Sequence, residues 1–310
     1  MSLCLVTGGA GFIGSHLVEA LLQRGDRVRV LDNLSSGRLA NIAAVFPKIE
    51  FIEGNIQDET VVQQAMAGVE LVFHLAAVVS VPQSMVRPQE AESINVIGTL
   101  NLLQAARAAG VFRLILSSTC AIYGDEPILP KIESMPPQPQ SPYAISKLAA
   151  EQYCRLFTTT FGLETMALRY FNVFGPRQDP TSPYSGVISI FVDQMARGLP
   201  VTIFGSGEQT RDFVFVSDVV RANLLAAQTP EAGGQVINIG TGRPVTIHQL
   251  FAMLSRQLQY DRPPLYQPAR PGDVLHSYAD AGQARTVLGW QPQVSFGEGL
   301  RRLVHVERGA

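Results

Sequence analysis

Short apolar runs recur along the first part of the chain: "LCLVTG" from Leu3, "VRVLD" from Val28, "IEFIEG" from Ile49, "ELVFHLAA" from Glu70 and "RLILSS" from Arg113. Apolar runs of this kind, closed by turn residues, predict strands buried on both faces. Amphipathic stretches fill the intervals. Between Phe12 and Arg24, Ile13, Leu17 and Leu21 fall at helical spacing, and Gly25 follows where a helix commonly stops. A longer helical stretch runs from about Glu90 to Ala109, and a further helix opens at Ser141-Pro142, a capping residue followed by the residue best suited to the first helical position. Strands alternating with helices predict parallel pairing through right-handed crossovers, hence an α/β fold with an open, doubly wound parallel sheet covered on both faces. Ligands of such sheets lie beyond the carboxyl ends of the strands.

After about Phe171 the pattern loosens, and Pro and Gly mark turns at "FGPRQDPTSPYSG", "GLP", "GSG", "GTGRP" and "RPPLYQPARPGD". We expect residues 1–170 to form a dinucleotide-binding domain and residues 171–310 mainly a smaller mixed α/β lobe that binds substrate. Two stretches near 211–240, "RDFVFVSDVVRANLLAAQ" and "QVINIG", are regular enough to rejoin the sheet. Internal repeats and low-complexity runs are absent.

Composition narrows the partners. With 310 residues, 46% hydrophobic and 16% charged, the chain can bury a large core. Its net charge of −2 gives no basis for nucleic-acid or anionic-membrane binding, so a small molecule is the expected partner. Cys4, Cys120 and Cys154 are odd in number and widely spaced, which fits neither a disulfide framework nor a metal site; a reducing cytoplasm is the expected location. The start "MSLCLVTGG" reaches glycines too soon for a signal peptide, and no stretch approaches the ~18 apolar residues of a membrane span.

Candidate chemistry begins at "TGGAGFIGSHL", which follows the first strand and opens the first helix, the context a dinucleotide fingerprint requires. Gly8 makes the tight turn, Gly11 lets backbone approach a pyrophosphate and Gly14 allows close packing of helix on sheet. Asp32 ends the second strand, near the ~20-residue offset at which an acid accepts from the adenosine ribose. A 2′-phosphate would meet that carboxylate, so NAD is favoured over NADP on a Rossmann-type sheet. Tyr143 and Lys147, four residues apart, share a helix face. Taken alone, that pair is equally consistent with an ordinary helix start.

"TGGAGFIG", "LSSTCAIYG" and "YAISK" stand in fixed order, with further matches at "LDNLSSG", "HLAA", "RYFNVFGP", "IFGSGEQTRDFVFVSDV" and "RPGDV". Over essentially its whole length the chain resembles the extended short-chain dehydrogenase/reductases, and closely their nucleotide-sugar 4-epimerases. The resemblance implies that Tyr143 is an acid/base, that Lys147 and the nicotinium ring favour its phenolate, and that Thr119 hydrogen-bonds the reacting sugar oxygen. It implies a cycle in which Tyr143 removes the proton of the 4-hydroxyl while carbon 4 passes hydride to NAD. The 4-keto sugar then turns over, and hydride returns to its opposite face, so that NAD is a retained, tightly bound catalyst.

Further roles follow from the resemblance alone. The cofactor would be held by Gly8, Gly11, Phe12, Ile13, Gly14, Asp32, Asn33, Ser36, Gly37, Asn55, Ile56, Leu75, Ala76, Ala77, Ser117, Tyr143, Lys147 and Tyr170. Substrate contacts would come from Thr119, Asn172, Val187, Ile188, Phe204, Arg211, Arg270, Asp273 and Ser277, with arginine suited to a diphosphate by its planar fork. The expected substrate is a UDP-hexose, UDP-glucose or UDP-galactose. Ser277 falls where bulky tyrosine restricts some relatives to those two, so serine leaves room for the N-acetylated pair.

Departures from the pattern are also visible. Asn55 stands where relatives usually carry an Asp facing adenine, though an amide oxygen can accept the same bond. Thr119 is followed by Cys120 and Ala121, not by the acids of the 4,6-dehydratases and decarboxylases, which disfavours elimination. A UDP-glucuronate epimerase, a reductase that consumes external NADH or NADPH, and a dinucleotide sensor stay open as alternatives. The long helices near Glu90 and Pro142 are expected to pair in a homodimer, as relatives do.

Overall fold

The computed structural model describes residues 1–179, 186–230, 233–269 and 274–309. In chain order the first half contains β1 (Leu3–Thr7), α1 (Phe12–Gln23), β2 (Arg27–Asp32), β3 (Glu50–Glu53), α2 (Glu59–Met66), β4 (Leu71–His74), α3 (Val81–Val86), α4 (Pro88–Glu92), α5 (Gly98–Ala108), β5 (Arg113–Thr119), α6 (Pro142–Phe161) and β6 (Glu164–Tyr170). The second half contains β7 (Asn172–Phe174), α7 (Val187–Ala196), β8 (Thr202–Phe204), β9 (Thr210–Phe215), α8 (Val216–Gln228), β10 (Gln235–Ile239), β11 (Pro244–Thr246), α9 (Ile247–Leu258), β12 (Leu265–Gln267), β13 (His276–Ser277), α10 (Gly282–Leu288) and α11 (Phe296–Gly309).

Seven parallel strands form the central sheet in the order β10-β6-β5-β4-β1-β2-β3. Every residue of β1 is buried because the strand has helices on both sides. Cys4 and Val6 pack toward Leu17, Leu21, Val219 and Ala222 of α1 and α8, whereas Leu3 and Leu5 pack toward Met66, Leu102 and Cys154 of α2, α5 and α6. The order of connection reverses between β1 and β4, and the crevice beyond their carboxyl ends is the natural ligand position of an open α/β sheet.

The apolar pattern predicted one helix over about 90–109; the structure interrupts it. Ser93–Ile97 form a π-turn between α4 and α5. The Asn95 side chain explains the interruption: it accepts from Val78 N at 2.8 Å and donates to Val78 O at 3.0 Å and to Ser146 Oγ at 2.9 Å, partners that a uniform helix would have to reach from a different angle.

After β6 the chain builds a second apolar centre from Phe174, Ile188, Phe191, Phe213, Leu250 and Leu300. A four-stranded sheet carries it, with β9 between β11 and β13 and also paired with β7, while β8 and β12 form a two-stranded ladder. This part is interleaved with the first: β10 extends the main sheet beside β6, and α8 packs on α1.

Candidate functional site

The loop from β1 to α1 is shaped for an anion. Gly8 has φ +70°, and a Cβ there would lie 2.7 Å from Ala76 N in the loop after β4. A Cβ on Gly14 would lie 2.1 Å from Gly8 O, and one on Gly11 would lie 3.1 Å from the same atom. Only glycine permits this turn to fold back so tightly on its own helix. Gly11 caps α1 without any side-chain hydrogen bond, and the first turn carries no acid, so the helix begins with backbone N–H groups available to a phosphate. Phe12 and Ile13 follow, packed against the apolar centre of the second lobe.

Asp32 is buried at the end of β2. Its Oδ2 accepts from Ala10 N at 2.9 Å and its Oδ1 from Leu34 N at 2.8 Å, and a Cβ on Gly37 would lie 2.9 Å from Oδ1. The carboxylate thus ties the phosphate turn to the loop holding Asn33, Ser36 and Gly37, and keeps lone pairs for ribose hydroxyls. Asn33 accepts from Ser35 N and Ser35 Oγ, and Ser36 is exposed. Asn55 is turned on itself, accepting from Gln57 N and donating to Gln57 Oε1, both at 3.0 Å; Ile56 is buried against Gly98. On the other side of the crevice Leu75 N donates to Thr7 O and Ala76 N to Thr7 Oγ1, placing Leu75, Ala76 and Ala77 beside the glycine turn. These residues fit a dinucleotide: glycines where its backbone must pass, a free helix N-terminus for its pyrophosphate and a carboxylate for its ribose.

The three side chains expected to be catalytic lie on β5 and α6, which pack side by side. Thr119 ends β5, while Tyr143 and Lys147 lie in the first turns of α6, whose entry Ser141 caps by accepting from Ala144 N at 3.2 Å. Tyr143 N donates to Ser84 Oγ at 3.1 Å, which pins the start of the helix to α3. Burial pushes the Tyr143 phenol up to about 12, opposed by a hydrogen bond with Thr119. Lys147 is 3% exposed, and burial pulls its ammonium down to about 8, opposed by the charges it feels from Cys154 and Glu151. His74, joined to Thr7 Oγ1 at 2.8 Å and Thr99 Oγ1 at 2.9 Å, is held near 3 by burial and by Lys147, so it stays neutral next to that cation.

In the second lobe, Ser277 of β13 pairs with Arg211 of β9, and Cys120 hydrogen-bonds Ser277 and feels Arg211. Burial raises the Cys120 thiol to about 11, so it stays protonated at neutral pH. Arg211 Nη1 donates to Thr210 O at 2.9 Å. Asn172 is half-buried at the head of β7, Val187 opens α7, and Phe204 ends β8 with its carbonyl accepting from Gln209 Nε2. Ile188 faces the second apolar centre and is a packing residue by its side chain. Tyr170 lies in the main core, its hydroxyl joined to Asn223 at 2.8–3.0 Å and to Ser117. Arg270 and Asp273 lie outside the described residues.

A family model described as the NAD dependent epimerase/dehydratase family matches residues 4–240. The chain belongs to this family. Among curated relatives, a UDP-glucose 4-epimerase of Mycolicibacterium smegmatis is 42% identical over 308 residues, 98% of each chain. Among solved structures, a UDP-glucose 4-epimerase of Thermotoga maritima, in complex with UDP-glucose, is 46% identical and superposes with a TM-score of 0.95 over 99% of both chains. A UDP-N-acetylglucosamine 4-epimerase of Methanobrevibacter ruminantium, in complex with UDP-N-acetylmuramic acid, is 38% identical with a TM-score of 0.95, covering 99% of this chain and 98% of that one. As in the NAD dependent epimerases and dehydratases at large, the cofactor of this chain is NAD.

Motif reading missed Ser84 and Asn95, which touch the helix bearing Tyr143 and Lys147, and Glu151, which lies on that helix and joins it to Ser118 of β5. For Glu151 a signal was present: Tyr143, Lys147 and Glu151 stand at successive four-residue steps, a polar stripe on a helix whose neighbours are apolar. No comparable signal existed for Ser84, whose partner lies 59 residues away.

Proposed function

We propose that this protein interconverts UDP-glucose and UDP-galactose by inversion at carbon 4 of the hexose, and that it accepts the N-acetylated pair as well. The observation that carries the reading is the hydrogen bond between Thr119 and Tyr143, with Lys147 one turn along the same helix, beside a turn shaped for a dinucleotide.

NAD, when bound, supplies a reversible hydride acceptor and, in its oxidised form, positive charge near the phenol. The remaining work belongs to the chain. Tyr143 takes the proton of the 4-hydroxyl and later returns it. The phenol, held near 12 in the chain alone, needs added positive charge to ionise at neutral pH; in this reading Lys147, one helical turn away, contributes it. Thr119 orients the sugar oxygen toward Tyr143. Asn172 and Arg211 meet the diphosphate, Phe204 meets the base, and the backbone at Val187 and Ile188 borders it. Ser277, small and beside Cys120, leaves room near carbon 2 of the hexose. Cys120 and Ala121 after Thr119 leave no acid at the place where elimination would need one, which weighs against a dehydratase.

The chain is also proposed to act as a homodimer through α5 and α6, with Ile145 and Leu156 exposed on α6 and Ile97 exposed just before α5. The decisive experiment offers the purified protein UDP-glucose, UDP-galactose, their N-acetylated forms and UDP-glucuronate without added cofactor, and identifies the products. Interconversion at carbon 4 of the hexose pairs is expected. Tyr143→Phe should lose at least ~10²-fold in kcat while keeping NAD bound; full retained activity would contradict the assignment.

A further inference from the structure

Glu151 is 1% exposed, a position that a carboxylate occupies only when it is fully paired. It follows Lys147 by one helical turn on α6. Arg169 of β6 grips it with both edges of the guanidinium fork, Nε to Oε1 at 3.0 Å and Nη2 to Oε2 at 2.8 Å. Ser118 Oγ of β5 donates to Oε1 at 2.5 Å. Ser118 immediately precedes Thr119, so one carboxylate joins the strand end that carries the sugar-orienting hydroxyl to the helix that carries the acid/base pair.

We propose that Glu151 is a positioning residue for the reaction: it fixes Thr119 relative to Tyr143 and sustains the charge of Lys147 in its buried place. The proposal rests on the reading of Tyr143 and Lys147 given above. Thr119 and Tyr143 approach each other from different elements, and nothing in either local sequence sets their separation. The Ser118–Glu151 bond spans that joint, and Arg169 keeps the carboxylate from turning away. Arg169 is held in turn by the Tyr123 ring, 4.8 Å from its guanidinium carbon, with Glu133 also facing it, and Tyr123 Oη donates to Asn238 Oδ1 at 2.7 Å. The titratable groups facing Lys147 are Tyr143, Glu151 and Cys154 on its own helix and His74 from β4. Of these, the histidine is neutral and burial raises both the phenol and the thiol to about 12, which leaves Glu151, gripped by Arg169, as the carboxylate beside Lys147. A merely structural ion pair would need Arg169 and Glu151 alone; the third bond, to the residue before Thr119, is what ties the pair to the chemistry.

The test measures kcat and KM for UDP-glucose against pH in the NAD-bound wild type, Glu151→Gln and Ser118→Ala. Glu151→Gln keeps the shape and removes the charge, so kcat should fall by about 10²-fold with KM little changed, and the alkaline limb of kcat should move to lower pH as Lys147 loses its proton more readily. Ser118→Ala retains every charge and suits a strand interior, so it keeps the test open if the Gln variant does not fold. Its kcat should drop several-fold with the alkaline limb in place. A wild-type kcat in Ser118→Ala, or an unmoved alkaline limb in folded Glu151→Gln, overturns the proposal. Failure of the underlying reading has a different signature: Tyr143→Phe would then remain active, whatever Glu151 does.

Discussion

Lys147 is a cation in a place that resists charge, and the cost can be read as stability. Its ammonium lies near 8 in the folded chain against an ordinary value of 10.5. Between those values the unfolded chain binds more protons than the folded one, so stability rises with pH across that window. Below pH 8 the penalty is fully present, about 3 kcal/mol for a shift of this size. Lys147→Met should therefore raise the thermal midpoint at pH 7 while removing activity, and the gain should fade toward pH 10. Thermal unfolding at the two pH values, with equal cofactor occupancy, checks this; a lower midpoint at pH 7 would contradict it. On the proposed function, the cost serves the chemistry. A phenol held near 12 by burial does not act as a base at neutral pH without neighbouring positive charge.

The turn from β1 into α1 shows how an element can be legible in sequence. Its glycines are fixed by contacts inside the motif and with the next strand's loop, since a Cβ at Gly14 would sit 2.1 Å from Gly8 O. Gly14→Ala should lose retained NAD, measured as dinucleotide released on denaturing the purified protein, and a full complement would refute the close-packing argument. The helix after β4 shows the opposite case. Its apolar spacing gave no sign of the π-turn at Ser93–Ile97, because the cause is a set of bonds from Asn95 to Val78 and Ser146, the latter 51 residues away. Likewise Tyr143 and Lys147 were visible as a pair on one helix face, whereas Ser84 and Arg169 reach that helix across the fold.

At the scale of the molecule, the strand order places β1 and β4 side by side and opens the crevice between their loops, and β10 closes the far side of the sheet from the second half of the chain. Among the described residues no helix is long and apolar enough to cross a membrane. Ile145 and Leu156 on α6 and Ile97 before α5 are exposed, and the proposed dimer would cover them. Replacing Ile145 and Leu156 together by Glu should convert a dimer to a monomer in sedimentation with the far-ultraviolet spectrum unchanged; a wild-type particle that sediments as a monomer would remove the dimer proposal. By itself the sequence determined what is local: strand and helix periods, the glycine turn, the acid at the end of β2 and the Tyr143–Lys147 spacing, because each depends on residues within a few turns of one another. Tertiary structure alone decided which elements interleave, how Thr119 meets Tyr143, and what surrounds Lys147. Those depend on strand order and on burial, and a side chain's solvent is set by the whole fold.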